Sequence, residues 1–201
     1  MIIINNLTKI FPNNTIYYPN ITINKKNCYL ITGPSGAGKS TLCEIIANFL
    51  PFEHGHITLN NQDIKNINIF LYIHYLAQAP ENNLIGPTTI DELTLWTKYN
   101  CQTDKHNNIN EILSIFNLQN HINTPIWQLS FGQKKMLAYV PLSLIPRNIW
   151  LLDEPFAGID HYHCNIINQM MINFINNNGT IIATSHQNRG FERLNPIIIN
   201  L

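Results

Sequence analysis

Residues 28–50 read CYLITGPSGAGKSTLCEIIANFL. A β-rich apolar run, CYLIT, ends at Gly33. The stretch from residue 39 has apolar spacing suited to a helix, which Pro51 stops. A strand that feeds a helix through so tight a loop belongs to a parallel sheet, because a helix must carry the chain back before the next parallel strand. The loop fits G-x-x-x-x-G-K-[ST], with Gly33, Gly38, Lys39 and Ser40 in the fixed places. Its glycines let successive backbone N–H groups turn inward around phosphates. Gly33, Pro34, Ser35, Gly36, Ala37, Gly38, Lys39, Ser40 and Thr41 are therefore candidate phosphate-binding residues. Lys39 is expected to reach β- and γ-phosphates and Ser40 to place its hydroxyl on Mg²⁺. The helix dipole adds favourable charge.

Strands are expected at 2–7, 20–24, 56–60, 148–154, 179–186 and 196–201, and helices at 88–99, 109–118, 131–145 and 162–177. The apolar run at 69–77 reads as a buried strand. Strands alternating with helices imply an α/β fold with a parallel sheet covered on both faces. The helical stretch from about 80 to 146 interrupts that alternation. It reads as a helical subdomain inserted into a core made of about 1–79 and 147–201, the whole forming one domain. Pro141 falls inside one of these helices, where a kink or a change of register is expected.

The 201 residues have a formal net charge of zero and only 12% are charged. That leaves no electrostatic footprint for nucleic acid or anionic lipid, so neither is expected as a partner. No apolar run approaches the ~18–20 residues needed to span a bilayer, so direct membrane insertion is not expected. Cys28, Cys43, Cys101 and Cys164 are far apart, with no CxxC, and read as reduced thiols. His54/His56 and His161/His163 could suggest a metal, but no cysteine or carboxylate cluster completes either pair at ligand spacing, so no metal site of that kind is expected.

Three more stretches carry chemistry. NIWLLDEP (148–155) delivers Asp153 and Glu154 at the C-terminal end of an apolar strand, where α/β sheets place ligands. Asp153 suits Mg²⁺, and Glu154 suits a general base for an attacking water. IIATSH (181–186) ends in His186, which is positioned to hydrogen-bond a γ-phosphate. Gln78 also follows a strand, and its neutral amide suits Mg²⁺ or a water. In QLSFGQKK (128–135), Ser130 reads first as a helix N-cap. With Gly132 beside it at a helix N-terminus, it is also a candidate anion site.

Taken in order, GPSGAGKST, Gln78, LSFGQ, LLDEP, Asp160 and TSH resemble the nucleotide-binding subunits of ATP-binding-cassette (ABC) ATPases over nearly the whole chain. The resemblance implies a RecA-like P-loop core with an N-terminal antiparallel β part and an inserted helical subdomain. It implies ATP and Mg²⁺ as ligands, with catalysis by Glu154, His186 and Gln78 and metal binding by Ser40, Gln78 and Asp153. It also implies a head-to-tail pair of cassettes, identical or mixed, in which Ser130, Gly132 and Gln133 meet ATP held by the other copy's Lys39. Asp160 maps to the family's D-loop aspartate. Phe11 maps to its adenine-stacking aromatic, with Tyr17 as runner-up; such stacking is worth about 1–3 kcal/mol per base. Departures are Phe131 for the first signature glycine, Met136 where the family often has arginine, and Pro141.

The resemblance further implies a transporter motor, bound at the cytoplasmic face of the inner membrane through an integral-membrane permease. YLAQAPENNLIGPTTIDEL (75–93) is similar to the matching segment of energy-coupling-factor ATPases, importers of vitamins and metals, with Asn83 for a usual glutamine. Apolar Leu84 and Ile85 there are expected to dock a permease helix. The alternatives are the haem-exporter ATPase of cytochrome c maturation, similar in length and in DEPFAGID…TSHQ, and a soluble ATPase of iron–sulfur assembly.

Overall fold

The computed structural model describes residues 1–99, 109–186 and 190–201; Cys101 lies outside them. Two sheets form the framework. In the first, β1 (Ile2–Phe11) runs antiparallel to β2 (Asn14–Tyr17) and β3 (Ile21–Ile23) on one edge and to β5 (His54–Leu59) on the other, and β5 pairs with β6 (Gln62–Asp63). The second is fully parallel and contains β4 (Cys28–Thr32), β7 (Ile73–Leu76), β8 (Ile149–Asp153), β9 (Thr180–Thr184) and β10 (Ile197–Asn200), in the order β10-β4-β9-β8-β7.

Side chains alternate across this parallel sheet and supply two cores. Cys28, Leu30, Trp150, Leu152, Ile181 and Ala183 enter one cluster. Tyr29, Ile31, Ile149, Leu151 and Ile182 enter the other, against α1 (Lys39–Ile46) and the antiparallel sheet. A strand buried on both faces reads as a continuous apolar run, which is how these strands appear in the sequence. The helical stretch comprises α2 (Thr89–Tyr99), α3 (Ile109–Ile115) and α4 (Phe131–Leu144), and α5 (His161–Asn176) follows β8. Leu93, Leu113, Phe116 and Leu137 join the same cluster as Leu152 and Ile181. The inserted helices thus share their core with one face of the sheet.

Local expectations fail in two places. The run at 69–77 is not one strand: Ile69–Leu71 forms a 3-10 turn, Phe70 and Leu71 are exposed, and only Ile73–Leu76 pairs. α1 ends at Ile46, ahead of Pro51, because Asn48 turns left-handed at φ 60°. α4 runs on through Pro141 to Leu144, with Ile145 N–H donating to the Pro141 carbonyl at 2.9 Å. Of the two side chains expected to dock, Leu84 is half-buried against the core and Ile85 is exposed.

Register carries the strand ends to a common edge. The paired row Ile198–Leu30–Ala183–Leu152–Leu76 crosses all five parallel strands. Two residues beyond it stand Glu154 and Gln78, and one residue further stand Gly33 and His186. Beyond Leu76, Asn83 closes the loop that carries Gln78. Its amide accepts from Ala77 N–H at 2.8 Å and donates to the Ala77 and Ala79 carbonyls, both at 3.0 Å. Buried Glu92 anchors the next residues, accepting from Ile85 N–H, Gly86 N–H and the Trp96 indole.

Gly55 lies between His54 and His56, which pair with Thr8 and Asn5 on either side of the irregularity in β1. Its φ is 92°, and an added Cβ would lie 2.5 Å from the Asn6 carbonyl oxygen. Gly55→Ala is expected to lower stability by at least about 1–3 kcal/mol, the cost of such backbone strain. A urea-unfolding midpoint equal to that of wild type would show that this turn relaxes freely.

Candidate functional site

Gly38 is the N-cap of α1 at φ 92°, and Gly36 lies at φ 82°; both conformations suit glycine. No side chain has room at Gly38. A built Cβ there falls 2.8 Å from the Tyr18 hydroxyl and 3.0 Å from Ile16 Cδ1, and Tyr18 donates to the Gly38 carbonyl at 3.1 Å. The first sheet therefore buttresses the loop from below. Pro34, Ser35 and Gly36 are exposed, while Lys39 is buried.

Lys39 Nζ donates to the carbonyls of Gly33 at 2.9 Å and Pro34 at 3.0 Å, and stands 3.3 Å from His186 Nδ1. The opposite ring nitrogen, Nε2, stands 3.5 Å from Glu154 Oε1. With Nδ1 accepting from Lys39, the neutral ring carries its proton on Nε2, which faces Glu154 Oε1 without forming a hydrogen bond to it. His186 thus bridges the loop lysine and the strand-end carboxylate.

Asp153 and Glu154 differ sharply in their surroundings. Asp153 Oδ1 accepts from the Thr184 hydroxyl at 2.5 Å, and that same hydroxyl oxygen accepts from Glu154 N–H at 3.0 Å. Glu154 sits in the left-handed region at φ 48°, and its Oε1 is buried without a hydrogen-bond partner. Burial raises its pKa; His186 and Lys39 oppose the rise and Asp153 adds to it. A buried acceptor without a donor, beside a cation, fits a carboxylate placed to take a water proton. Ser40 is half-buried at the first turn of α1, and Gln78 is exposed beyond β7. The oxygen chemistry of Ser40, Gln78 and Asp153 suits a hard cation such as Mg²⁺.

The structure shows Ser130 as the helix N-cap. Its Oγ accepts from Gln133 N–H at 3.2 Å, and Gln133 Oε1 accepts from Ser130 N–H at 2.9 Å, a full capping box. Ser130, Gly132 and Gln133 also line a cavity of about 160 Å³ with Asp160 and His163. Asp160 caps α5, accepting from His163 N–H at 2.9 Å and standing 2.6 Å from its Nδ1; these contacts lower its pKa. Phe131 is accommodated by Gly158, where a built Cβ would fall 2.6 Å from the ring. Met136 is buried in the core, so an apolar side chain suits that position.

Phe11 lies at the tip of the β1–β2 hairpin, paired with Asn14 and 5.4 Å from Lys9 Nζ; Tyr17 is exposed on the same hairpin. Among the described residues no cluster of three His, Cys, Asp or Glu side chains is placed to hold a metal, and no helix is long and apolar enough to cross a membrane. Sequence reasoning missed Thr184, Lys135 and Tyr139. Lys135 is buried, which draws its pKa down to about 8 against the pull of the Glu154 and Asp153 carboxylates. A signal existed only in the spacing of Lys135 and Tyr139, one helical turn apart.

Comparison with known proteins agrees with this geometry. The family described as "ABC transporter" matches residues 18–157. Among curated proteins, the cytochrome c biogenesis ATP-binding export protein CcmA of Reclinomonas americana is 32% identical over 200 residues, covering 98% of this chain and 90% of that protein. The protein of the same name from Bartonella henselae is 33% identical over 171 residues, covering 84% and 79%. Among solved structures, the ATP-binding subunit of an ABC transporter superposes with a TM-score of 0.87 at 18% identity, covering 100% of this chain and 85% of that one. The dimeric cassette MJ0796 bound to ADP and Pi superposes with a TM-score of 0.83 at 23% identity, covering 100% and 94%. These relatives favour the exporter alternative over the vitamin or metal importer suggested by residues 75–93.

The raised pKa of Glu154 has a consequence for stability. The folded protein binds this proton more tightly than the unfolded chain, so the penalty is absent below the unfolded pKa and grows as pH rises to the folded value. Glu154→Gln is therefore expected to raise the melting temperature of nucleotide-free protein at about pH 8, with the gain vanishing near about pH 3.5. A gain of equal size at both pH values would assign the effect to packing instead.

Proposed function

This chain belongs to the ABC transporter family of ATP-hydrolysing cassettes, and on that premise we propose that it is the ATP-binding subunit of an export system of the cytochrome c biogenesis type. In this reading two cassettes, identical or mixed, pair head to tail and drive an integral-membrane permease from the cytoplasmic side. The observation that carries the hydrolytic role is the His186 bridge between Lys39 and Glu154.

The residues divide the work as follows. The backbone N–H groups of residues 35–41 cradle the phosphates, and Lys39 exchanges the Gly33 and Pro34 carbonyls for phosphate oxygens, a stronger charge-assisted contact. Glu154 takes the proton of the attacking water through Oε1, the buried oxygen that lacks a donor. His186 donates its Nε2–H to a γ-phosphate oxygen. Ser40, Asp153 and Gln78 would hold Mg²⁺, which neutralises charge developing on the phosphates. Phe11 stacks on adenine. Ser130 and Gly132 close the other cassette's site, with Asp160 beside them.

The exporter reading is supported by similarity to CcmA proteins along nearly the whole chain. The importer reading has only the resemblance of residues 75–93 behind it. Permease docking is supported by an apolar groove of about 590 Å³, lined by Phe49, Phe70, Tyr75, Ile85, Trp96 and Pro141. Phe49 lies 5.4 Å from Phe70 and 5.7 Å from Tyr75, and Phe49, Phe70, Leu71 and Ile85 are all exposed. Asn83 belongs to the same wall and closes the Gln78 loop, which gives the groove a direct route to the nucleotide.

Lys39→Ala is expected to weaken MgATP binding about 10–100-fold, the worth of a charge-assisted contact. Glu154→Gln should keep ATP bound while turnover falls about 10²–10⁴-fold. In that background ATP should drive pairing, seen by light scattering of the chain with its co-purifying partner, and Ser130→Arg should abolish it. Unchanged titration calorimetry for Lys39→Ala would remove the nucleotide assignment.

Phe49→Asp with Ile85→Asp should release the permease while leaving ATP affinity within about threefold, because unpaired charge in a desolvated contact costs several kcal/mol. The check is affinity purification from membranes, with the integral-membrane subunit identified. A partner that stays bound to the double variant would sink the groove assignment. A co-purifying substrate-capture subunit would turn the reading toward import.

A further inference from the structure

α4 does more than present Ser130. One turn apart on the same face, Lys135 and Tyr139 point into the loop that follows β8. Lys135 Nζ donates to the carbonyls of Glu154 at 2.8 Å and Ala157 at 2.9 Å, and the Tyr139 hydroxyl donates to the Pro155 carbonyl at 2.7 Å. Both side chains are only 1% exposed. On its other side, Glu154 gives its N–H to Thr184. The left-handed conformation of Glu154, uncommon for a long side chain, is therefore gripped through its N–H from β9 and through its carbonyl from α4. A buried ammonium that serves only neutral carbonyls is an expensive anchor for packing alone.

We propose that Lys135, with Tyr139, is a positioning residue for Glu154, and that α4 thereby ties the aim of the carboxylate to whatever occupies Ser130 at the start of the same helix. The inference rests on the two-cassette reading. If Ser130 of one chain meets the γ-phosphate held by the other, then α4 links the opposite site's nucleotide to this chain's own hydrolytic group. Such a link requires a single element that both sites bias, and α4 supplies it.

The test is steady-state MgATP hydrolysis by the assembly purified with its native partner, comparing wild type with Lys135→Met, Lys135→Arg and Tyr139→Phe. ATP affinity is measured in parallel by titration calorimetry. Lys135→Met should lower kcat about tenfold or more with ATP affinity within about threefold of wild type, as expected when a reacting group is misaimed. Its Hill coefficient should fall toward one. Lys135→Arg, which keeps the donors, should recover most of kcat, and Tyr139→Phe should lower the Hill coefficient with a smaller loss of rate. A folded Lys135→Met with wild-type kcat and Hill coefficient overturns the proposal, as does failure of Lys135→Arg to recover rate. Should Lys135→Met not fold, Tyr139→Phe decides, and wild-type kinetics there overturn the proposal. A wild type that hydrolyses ATP without cooperativity overturns the link between sites, whereas a wild type that never pairs overturns the two-cassette reading itself.

Discussion

One hydroxyl organises the reactive edge of this protein. Thr184 ends β9 opposite Asp153, the last residue of β8, and its Oγ1 donates to the Asp153 carboxylate while accepting the N–H of Glu154. Asp153 is thereby held where the sheet ends, and Glu154 is released into a left-handed turn that aims its side chain back toward His186. Without that bond a buried carboxylate would lack a donor, a deficit of about 1–3 kcal/mol, and the turn would lose one of its two anchors. The parallel register then brings the lysine loop from the next strand but one to the same edge.

The parts of the site that could be read from sequence are those where chemistry and periodicity coincide. Residues 33–41, Asp153, Glu154 and His186 all follow apolar strands, and the structure brings Lys39, His186 and Glu154 into one chain of contacts. Thr184 was illegible because a threonine in a strand is ordinary by composition. Lys135 was illegible because adjacent Lys134 and Lys135 look like a solvated pair. Only packing separates them: Lys134 meets Glu81 near the surface at 3.1 Å, and Lys135 is enclosed. Apolar runs misled in the other direction. The stretch 69–77 is apolar except for His74, yet only Ile73–Leu76 pairs, and its first half exposes Phe70, which lines the groove, and Leu71. Leu84 and Ile85 are neighbours of equal hydrophobicity with opposite fates, because Glu92 fixes the backbone at Ile85 and turns one side chain in and the other out.

Ser130 shows how a bland reading and a functional one coexist. Its hydroxyl closes a capping box with Gln133, so the first turn of α4 is rigid before any ligand arrives. An anion approaching that turn would meet N–H groups already aligned, without the entropy loss of ordering them. Phe131 contributes to the same rigidity. Its ring lies on Gly158, so the bulky replacement in the signature becomes a contact with the loop that carries Asp160.

The remaining departures in α4 point the same way. Met136 and Pro141 lie within residues 135–142, every one of which is buried. A helix enclosed on all faces is a core element, and a close-packed core does not deform continuously. Pro141 sacrifices the backbone bond to the Leu137 carbonyl, yet the helix runs on because its side chains are fixed from every side. A polar residue at 135 is the exception in that run, and its three-donor ammonium is spent on the two carbonyls that bracket the Glu154 turn. A rigid helix whose one buried cation grips the hydrolytic loop has few ways to move its first turn without moving that loop as well.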